Sequence, residues 1–185
     1  MLYYNSPIKE NKNYSDLTIK EIYPVMKLNI RGKKREFFTN AGKTLNMILP
    51  TKANTSTSSE KLTAIWLSPD EWMIFSNDII EKDNNNYDLE NLLFSNISKN
   101  NFGSISDVTD QFVMINLKGK KIFELLSSGC PFNFNEFKKG SSTQTILNHI
   151  DVIIHHKDRN NVNLFVRRSF SEHLWSWIND AASRL

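Results

Sequence analysis

Residues 1–18 carry Lys and Asn throughout and show no sustained apolar period, so they read as a polar N-terminal arm. From Ile19 to Ile30 the pattern becomes extended, with Val25, Leu28 and Ile30 as apolar positions and Gly32 closing the strand. Phe38, Ala41, Leu45 and Ile48 then recur at close to helical spacing, and Pro50 stops that helix. Thr51 to Ser59 has nothing to bury and predicts a flexible loop near residues 51–60. A hairpin follows: Leu62 to Leu67 and Trp72 to Phe75 alternate as strands across Ser68-Pro69-Asp70-Glu71, whose proline suits a type I turn. After a polar loop at Lys82–Asn86, Leu89, Leu92, Leu93 and Ile97 share one helical face.

The second half repeats the rhythm. Ile105–Val108 and Phe112–Leu117 read as strands, and a helix from about Lys118 turns Ile122, Leu125 and Leu126 inward. Gly129 fits a left-handed position at that helix's end, and Pro131 forbids continuation. Strands fall at Ser142–Leu147, Val152–His156 and Val162–Val166. A last helix opens with Ser169 and Glu172 spaced as a capping box, and Phe170, Leu174, Trp177, Ile178 and Ala181 form its apolar stripe. Hairpins mixed with helices in this order give an α+β class, read as one domain over 19–185 behind the arm.

Composition sharpens this only at a few points. With 39% apolar and 23% charged residues over 185 positions the chain can build a core. The net charge of +3 is spread over separate doublets such as Lys33-Lys34 and Arg167-Arg168, which argues against a nucleic-acid surface. The single cysteine, Cys130, rules out an internal disulfide and a cysteine-based zinc cage, and it reads as a small packing residue. No basic region precedes an apolar run at the start, and no apolar run approaches bilayer length, so the expectation is a soluble, cytoplasmic chain without a membrane segment.

Catalytic chemistry finds little support. No Gly-x-Gly-x-x-Gly turn exists, and Gly42-Lys43-Thr44 lacks the upstream glycine of a phosphate loop, since Phe37 stands there. His155 and His156 are neighbours on a strand and point to opposite faces, so they cannot chelate one ion. Asp70 with Glu71, and Asp107 with Asp110, read as turn chemistry. Trp177 belongs to the apolar stripe of the last helix, whereas Trp175 lies off it beside Arg167 and Arg168, a combination enriched at interfaces.

Three segments resemble one family. Trp66-Leu67-Ser68-Pro69-Asp70-Glu71-Trp72 is similar to the Trp-Leu-Gly-Pro-Asp-Glu-Trp hairpin of sarcosine oxidase gamma subunits, with Ser68 in place of the usual glycine. Asp107-Val108-Thr109-Asp110 and the later Ser128-Gly129-Cys130-Pro131 resemble its central block. Arg167 to Ile178 resembles its terminal Arg-Ser-Phe…Leu-Trp-x-Trp-Leu helix, and Gln144–Leu147 fits as well; order and spacing agree over roughly residues 60–183.

The resemblance implies a fold like the folate-binding domain of the glycine-cleavage T-protein, without that protein's C-terminal barrel. It implies a non-catalytic accessory subunit of a heterotetramer with alpha, beta and delta subunits. That complex demethylates sarcosine to glycine, yields hydrogen peroxide and passes a one-carbon unit to tetrahydrofolate. FAD, FMN, NAD, zinc and tetrahydrofolate are then expected in the partner subunits and none in this chain. No catalytic, cofactor or metal residue carries over, and Trp175, Arg167, Arg168 and Asp70 are the expected partner-interface residues. The isolated chain is expected to self-associate. The alternative is a free-standing folate-binding or one-carbon transfer module of the same fold.

Overall fold

The computed structural model describes residues 5–8, 10–23, 25–77 and 88–185. Its strands in chain order are Lys12–Tyr14 (β1), Leu17–Glu21 (β2), Lys27–Arg31 (β3), Ser56–Ser58 (β4), Leu62–Ser68 (β5), Glu71–Ser76 (β6), Ser104–Asp107 (β7), Phe112–Gly119 (β8), Ser142–Leu147 (β9), Ile150–Asp158 (β10) and Asn161–Arg167 (β11). The α-helices are Arg35–Leu45 (α1), Asp88–Leu93 (α2), Ile122–Ser127 (α3) and Ser171–Ala182 (α4). The expected loop at Lys82–Asn86 lies outside the described residues. The chain divides into two compact units, Pro24–Thr109 and the discontinuous pair Met1–Tyr23 with Asp110–Leu185.

The discontinuous unit is a six-stranded antiparallel sheet in the order β1-β2-β8-β11-β10-β9. Val113, Ile115 and Leu117 of β8 and Val162, Leu164 and Val166 of β11 alternate onto one face. There they meet Ile122, Leu125 and Leu126 of α3 and Leu174, Ile178 and Ala182 of α4 in one core. The opposite set, with Met114, Ile153 and Phe165, is buried too, which is why these strands read as near-continuous apolar runs. Buried Asn116 on that set is satisfied locally, its amide donating to Asn161 Oδ1 at 2.6 Å and Asn163 Oδ1 at 2.8 Å. β9 and β10 join through Asn148 and His149, both at positive φ (48° and 64°), as a tight two-residue hairpin turn requires.

Several sequence expectations change here. The stretch read as a polar arm holds β1 and the start of β2, which form a hairpin; β2 runs on into the extended stretch and pairs with β8, and Leu17 of the arm sits in the core beside Ile19. The apolar signal is short, two residues alternating with Thr18 and Lys20, and the Lys and Asn around it belong to an edge strand that faces water. The capping box of the last helix does not form: Ser169 lies in a 3₁₀ turn over Arg168–Phe170, and α4 starts at Ser171 without a side-chain cap. Ser171 Oγ instead donates to the Arg168 carbonyl at 2.7 Å. The later start rotates the stripe to Ser171, Leu174, Ile178 and Ala182, and Phe170 is left half exposed. Gly129 is not at positive φ; glycine is needed there because a Cβ would lie 2.4 Å from the Trp177 ring. Trp177, expected in the core, is therefore half-buried across the end of α3.

The other unit is a five-stranded antiparallel sheet in the order β4-β5-β6-β3-β7. Leu28 and Ile30, Ala64, and Trp72 and Ile74 face α1, α2 and the π-helical turn Phe94–Ser98 in a second core. Its centre is Trp72, which stacks on Phe37 at 5.6 Å and meets Phe38 edge-on at 5.4 Å. The indole N–H donates to the Pro50 carbonyl at 2.7 Å, so the buried ring leaves no donor unpaired. The extended stretch Ile19–Ile30 proves to be two strands belonging to two different sheets, with a proline at position 24 in the sequence between them. α1 ends at Leu45 with Asn46 in the left-handed region (φ 50°), which places Ile48 beyond the helix and 83% exposed. Within the expected loop at 51–60, β4 pairs with β5. Leu92 is likewise exposed, and the wider π turn after α2 brings Ile97 rather than Leu92 inward.

His155 and His156 are both buried on β10. His156 Nδ1 donates to the Phe137 carbonyl at 2.7 Å, and its ring stacks on Phe137 at 5.4 Å. Burial above all, with Lys157 and His156 adding repulsion, pushes His155 down to about 4. Cys130 is buried with Sγ 3.5 Å from Thr145 Oγ1, in keeping with its reading as a packing residue.

Three outcomes follow for stability of the full chain. Gly129→Ala forces the Trp177 ring aside and costs about 1–3 kcal/mol; a thermal melt reads this as a fall of roughly 2–4 °C per kcal/mol. Trp72→Phe leaves the buried Pro50 carbonyl without its donor and costs about 1–3 kcal/mol, read by urea titration. His155 takes up a proton near 6.5 when unfolded and near 4 when folded, so its contribution is present above the higher value and is lost as pH falls between them. Across that window the wild type should lose about 3 kcal/mol relative to a His155→Asn variant, and parallel pH profiles of the two chains would refute the assignment.

Candidate partner interface

The Trp66–Trp72 hairpin positions Asp70 by its own turn chemistry. Ser68 Oγ donates to Asp70 Oδ1 at 2.8 Å, and Lys33 and Arg31 approach the other oxygen at 3.5 Å and 3.7 Å. The Ser68 hydroxyl, and after it the two cations, hold Asp70 below the usual carboxylate range. Glu71 accepts from the Asn29 amide at 2.7 Å instead of facing Asp70 as an acid–base pair. Asp107 similarly accepts from the Thr109 backbone at 2.8 Å. These are partly or fully exposed polar contacts, the Asn29–Glu71 bond tying β3 to β6 and the others fixing turns, and they contribute little to stability.

Arg167, Arg168 and Trp175 lie in the discontinuous unit, and Asp70 lies in the other. Arg168 is tied down, its guanidinium donating to the Asn5 carbonyl and its backbone N–H to the Gln111 carbonyl at 2.9 Å. Trp175 is half-buried against the core, and its carbonyl accepts from the Asn179 amide at 2.7 Å. Arg167 ends β11 directly opposite Phe112, the first residue of β8, and its guanidinium carbon sits 5.9 Å from the centre of that ring. It makes no ion pair with any described residue.

Around Arg167 the ends of β8 to β11 form an open groove of about 390 Å³, lined with Phe112, Gln144, Ile146, Asp151 and Ile153. Pairing explains the set: Arg167 faces Phe112, Ile153 faces Gln144, and Asp151 faces Ile146. Sequence reading finds only Arg167 among these. Strand period assigns each side chain a face, but cross-strand partners depend on register, and the turn at Asn148–His149 that sets it carries no glycine. Among the described residues no three His, Cys, Asp or Glu side chains converge as metal ligands. No helix there is long and apolar enough to cross a membrane.

Comparisons with known proteins agree with this architecture. One chain of the heterotetrameric sarcosine oxidase from Corynebacterium sp. U-96, solved with pyrrole 2-carboxylate, superposes with a TM-score of 0.82 at 21% identity, covering 91% of this chain and 84% of that one. The glycine cleavage system aminomethyltransferase T from Bartonella henselae superposes with a TM-score of 0.64 at 14% identity over 88% of this chain. This chain spans 45% of that transferase, so the fold is T-protein-like over less than half its length. No curated protein matches in sequence. The model of the sarcosine oxidase gamma subunit family matches residues 33–184, beginning well upstream of the motifs near residue 60, and the chain belongs to that family.

Proposed function

We propose that this chain is the non-catalytic gamma component of a heterotetrameric sarcosine oxidase, assembled with alpha, beta and delta subunits in the cytoplasm. The observation that carries the reading is the family match over residues 33–184, joined to a fold shared with a chain of such a heterotetramer. In this reading the partner subunits hold FAD, FMN, NAD and zinc. They oxidise sarcosine to glycine with formation of hydrogen peroxide and transfer the one-carbon unit to tetrahydrofolate. This chain's own residues supply surface. Asp70, the Arg167–Arg168 pair and Trp175 are the proposed contacts, with Asp70 acting through the fixed shape of the hairpin turn.

The reading is tested by co-expressing the tagged chain with the large and medium subunits encoded in the same genome. The expected product is a complex that absorbs as a flavoprotein and turns over sarcosine, while the tagged chain purified alone is colourless and inactive. Sarcosine oxidation or tight flavin binding by the lone chain would overturn it, as would failure to retain any flavin-bearing subunit. Calorimetry with tetrahydrofolate on the lone chain examines the other reading, a free-standing folate module: millimolar ligand should give no heat.

A further inference from the structure

The groove at the end of β8 to β11 brings apolar and charged side chains together. Phe112 offers a ring face, Ile153 is 7% exposed at the floor, and Ile146 stands 40% exposed at the rim. Above them the Arg167 guanidinium lies over the Phe112 ring without an acidic partner among the described residues. A ring face holds a cation in place but does not neutralise it, so the donors of the guanidinium fork remain free for a ligand. A fork backed by an aromatic plane is preorganised to take a carboxylate through two parallel hydrogen bonds.

Asp151 limits what that ligand is. It stands on β10 one step beyond the Val152–Val166 pair, on the strand adjoining Arg167, and forms no ion pair with a described residue. Its charge offsets much of the positive field, so an acidic run, a phosphate group or a nucleic-acid backbone is disfavoured and a single carboxylate is not. The groove is open along its side, whereas small-molecule sites enclose most of their ligand. An arginine and an aromatic ring around a small apolar depression is the composition of an interface hot spot. From Arg167 the chain runs directly into the 3₁₀ turn Arg168–Phe170, where Phe170 is half exposed.

Resting on the accessory-subunit reading above, we infer that this groove is the docking point for a polypeptide segment of the flavoprotein partner, one that brings a single carboxylate to Arg167 and an adjoining aliphatic or aromatic side chain to Ile146 and Phe112. The contact is a small, energetically concentrated part of a larger interface.

The test uses the co-expressed complex. Arg167→Glu and Ile146→Asp are made in the full chain, with Lys52→Glu, an exposed cation of the other unit, as a charge-reversal control. Both groove variants change exposed side chains, and thermal melts matching the wild type verify folding. The expected result is that Arg167→Glu weakens partner binding by about a hundredfold and Arg167→Ala by about tenfold, while Lys52→Glu binds as wild type. Wild-type affinity should fall as salt rises, and the fall should flatten in Arg167→Ala. Amides of Gln144–Ile146 and Ile153 should exchange more slowly in the complex than in the free chain.

Wild-type binding by both groove variants overturns this inference and leaves the accessory-subunit reading standing. Failure of the wild-type chain to retain a flavin-bearing subunit overturns both. Saturable binding of free acetate at Arg167, with partner capture unchanged in Arg167→Glu, would make the groove a small-molecule site and overturn the docking role. Loss of a homodimer in Arg167→Glu, with the heterocomplex intact, would assign the groove to a second copy and overturn it as well.

Discussion

The discontinuous unit depends on β8, which is hydrogen-bonded along both edges, to β2 on one side and β11 on the other. A central antiparallel strand of this kind joins the beginning of the chain to its end. Closing that loop costs conformational entropy that only the completed sheet repays. The same strand sends Val113, Ile115 and Leu117 into the core and starts at Phe112, opposite Arg167. The register that buries the core therefore also sets an aromatic ring beneath the one surface arginine that ends β11. A one-residue slip would turn Val113, Ile115 and Leu117 away from the helices and move Phe112 to the other face, so core and groove stand or fall together.

Tight packing in both units is enforced by aromatic rings against backbone. Phe37 sits so close to Gly32 that a Cβ there would lie 2.3 Å from its ring, and Trp177 bears the same relation to Gly129. Such approaches rigidify the ends of elements, because a ring with two rotatable bonds loses little freedom when fixed. The hairpin tip gains its fixed shape differently, from Ser68, Arg31 and Lys33 converging on Asp70. In place of the glycine usual in the family, Ser68 supplies a hydroxyl that bonds the very carboxylate defining the turn.

Much of this was legible in the sequence. The β5–β6 hairpin, β8 and the three closing strands carry strong period-two patterns, and the structure has them where the pattern places them; α3 exists as expected but starts at Ile122 rather than near Lys118, because β8 runs on to Gly119. What the sequence hides is what tertiary partners decide. Ile19 reads as the start of an extended stretch, but Leu17 alone, among Lys and Asn, does not advertise that the strand begins before it until β8 pairs there. Ser169 and Glu172 have the spacing of a capping box, but β11 runs into a 3₁₀ turn that takes in Ser169, and the helix starts at Ser171. Gly129 matches a helix stop on paper, yet its reason is a tryptophan far along the chain. For the interface, Arg167 was visible as one of a pair of cations, and Arg168 beside it is consumed by Asn5 and Gln111. Nothing local distinguishes the two.

Burial then decides where such a chain can do its work. In both units the middle of the sheet face turned away from the helices is buried as well, as Met73 and Phe75 are in one and Met114 and Phe165 in the other, whereas strand-end positions of that face such as Ile146 and Arg167 stay exposed. Sheet faces committed to burial are closed to ligands, and a chain so built meets the outside through strand ends, turns and helix rims. Charges at those places are hydrated and individually weak. A partner is bound firmly only where a charge is already held in place against an apolar surface that water leaves readily, because there the ordering cost falls before the partner arrives. Asp70 is held but surrounded by its own cations, and Trp175 is apolar but half covered. Arg167 over Phe112 is where, of these three residues, a fixed charge and an open apolar surface coincide.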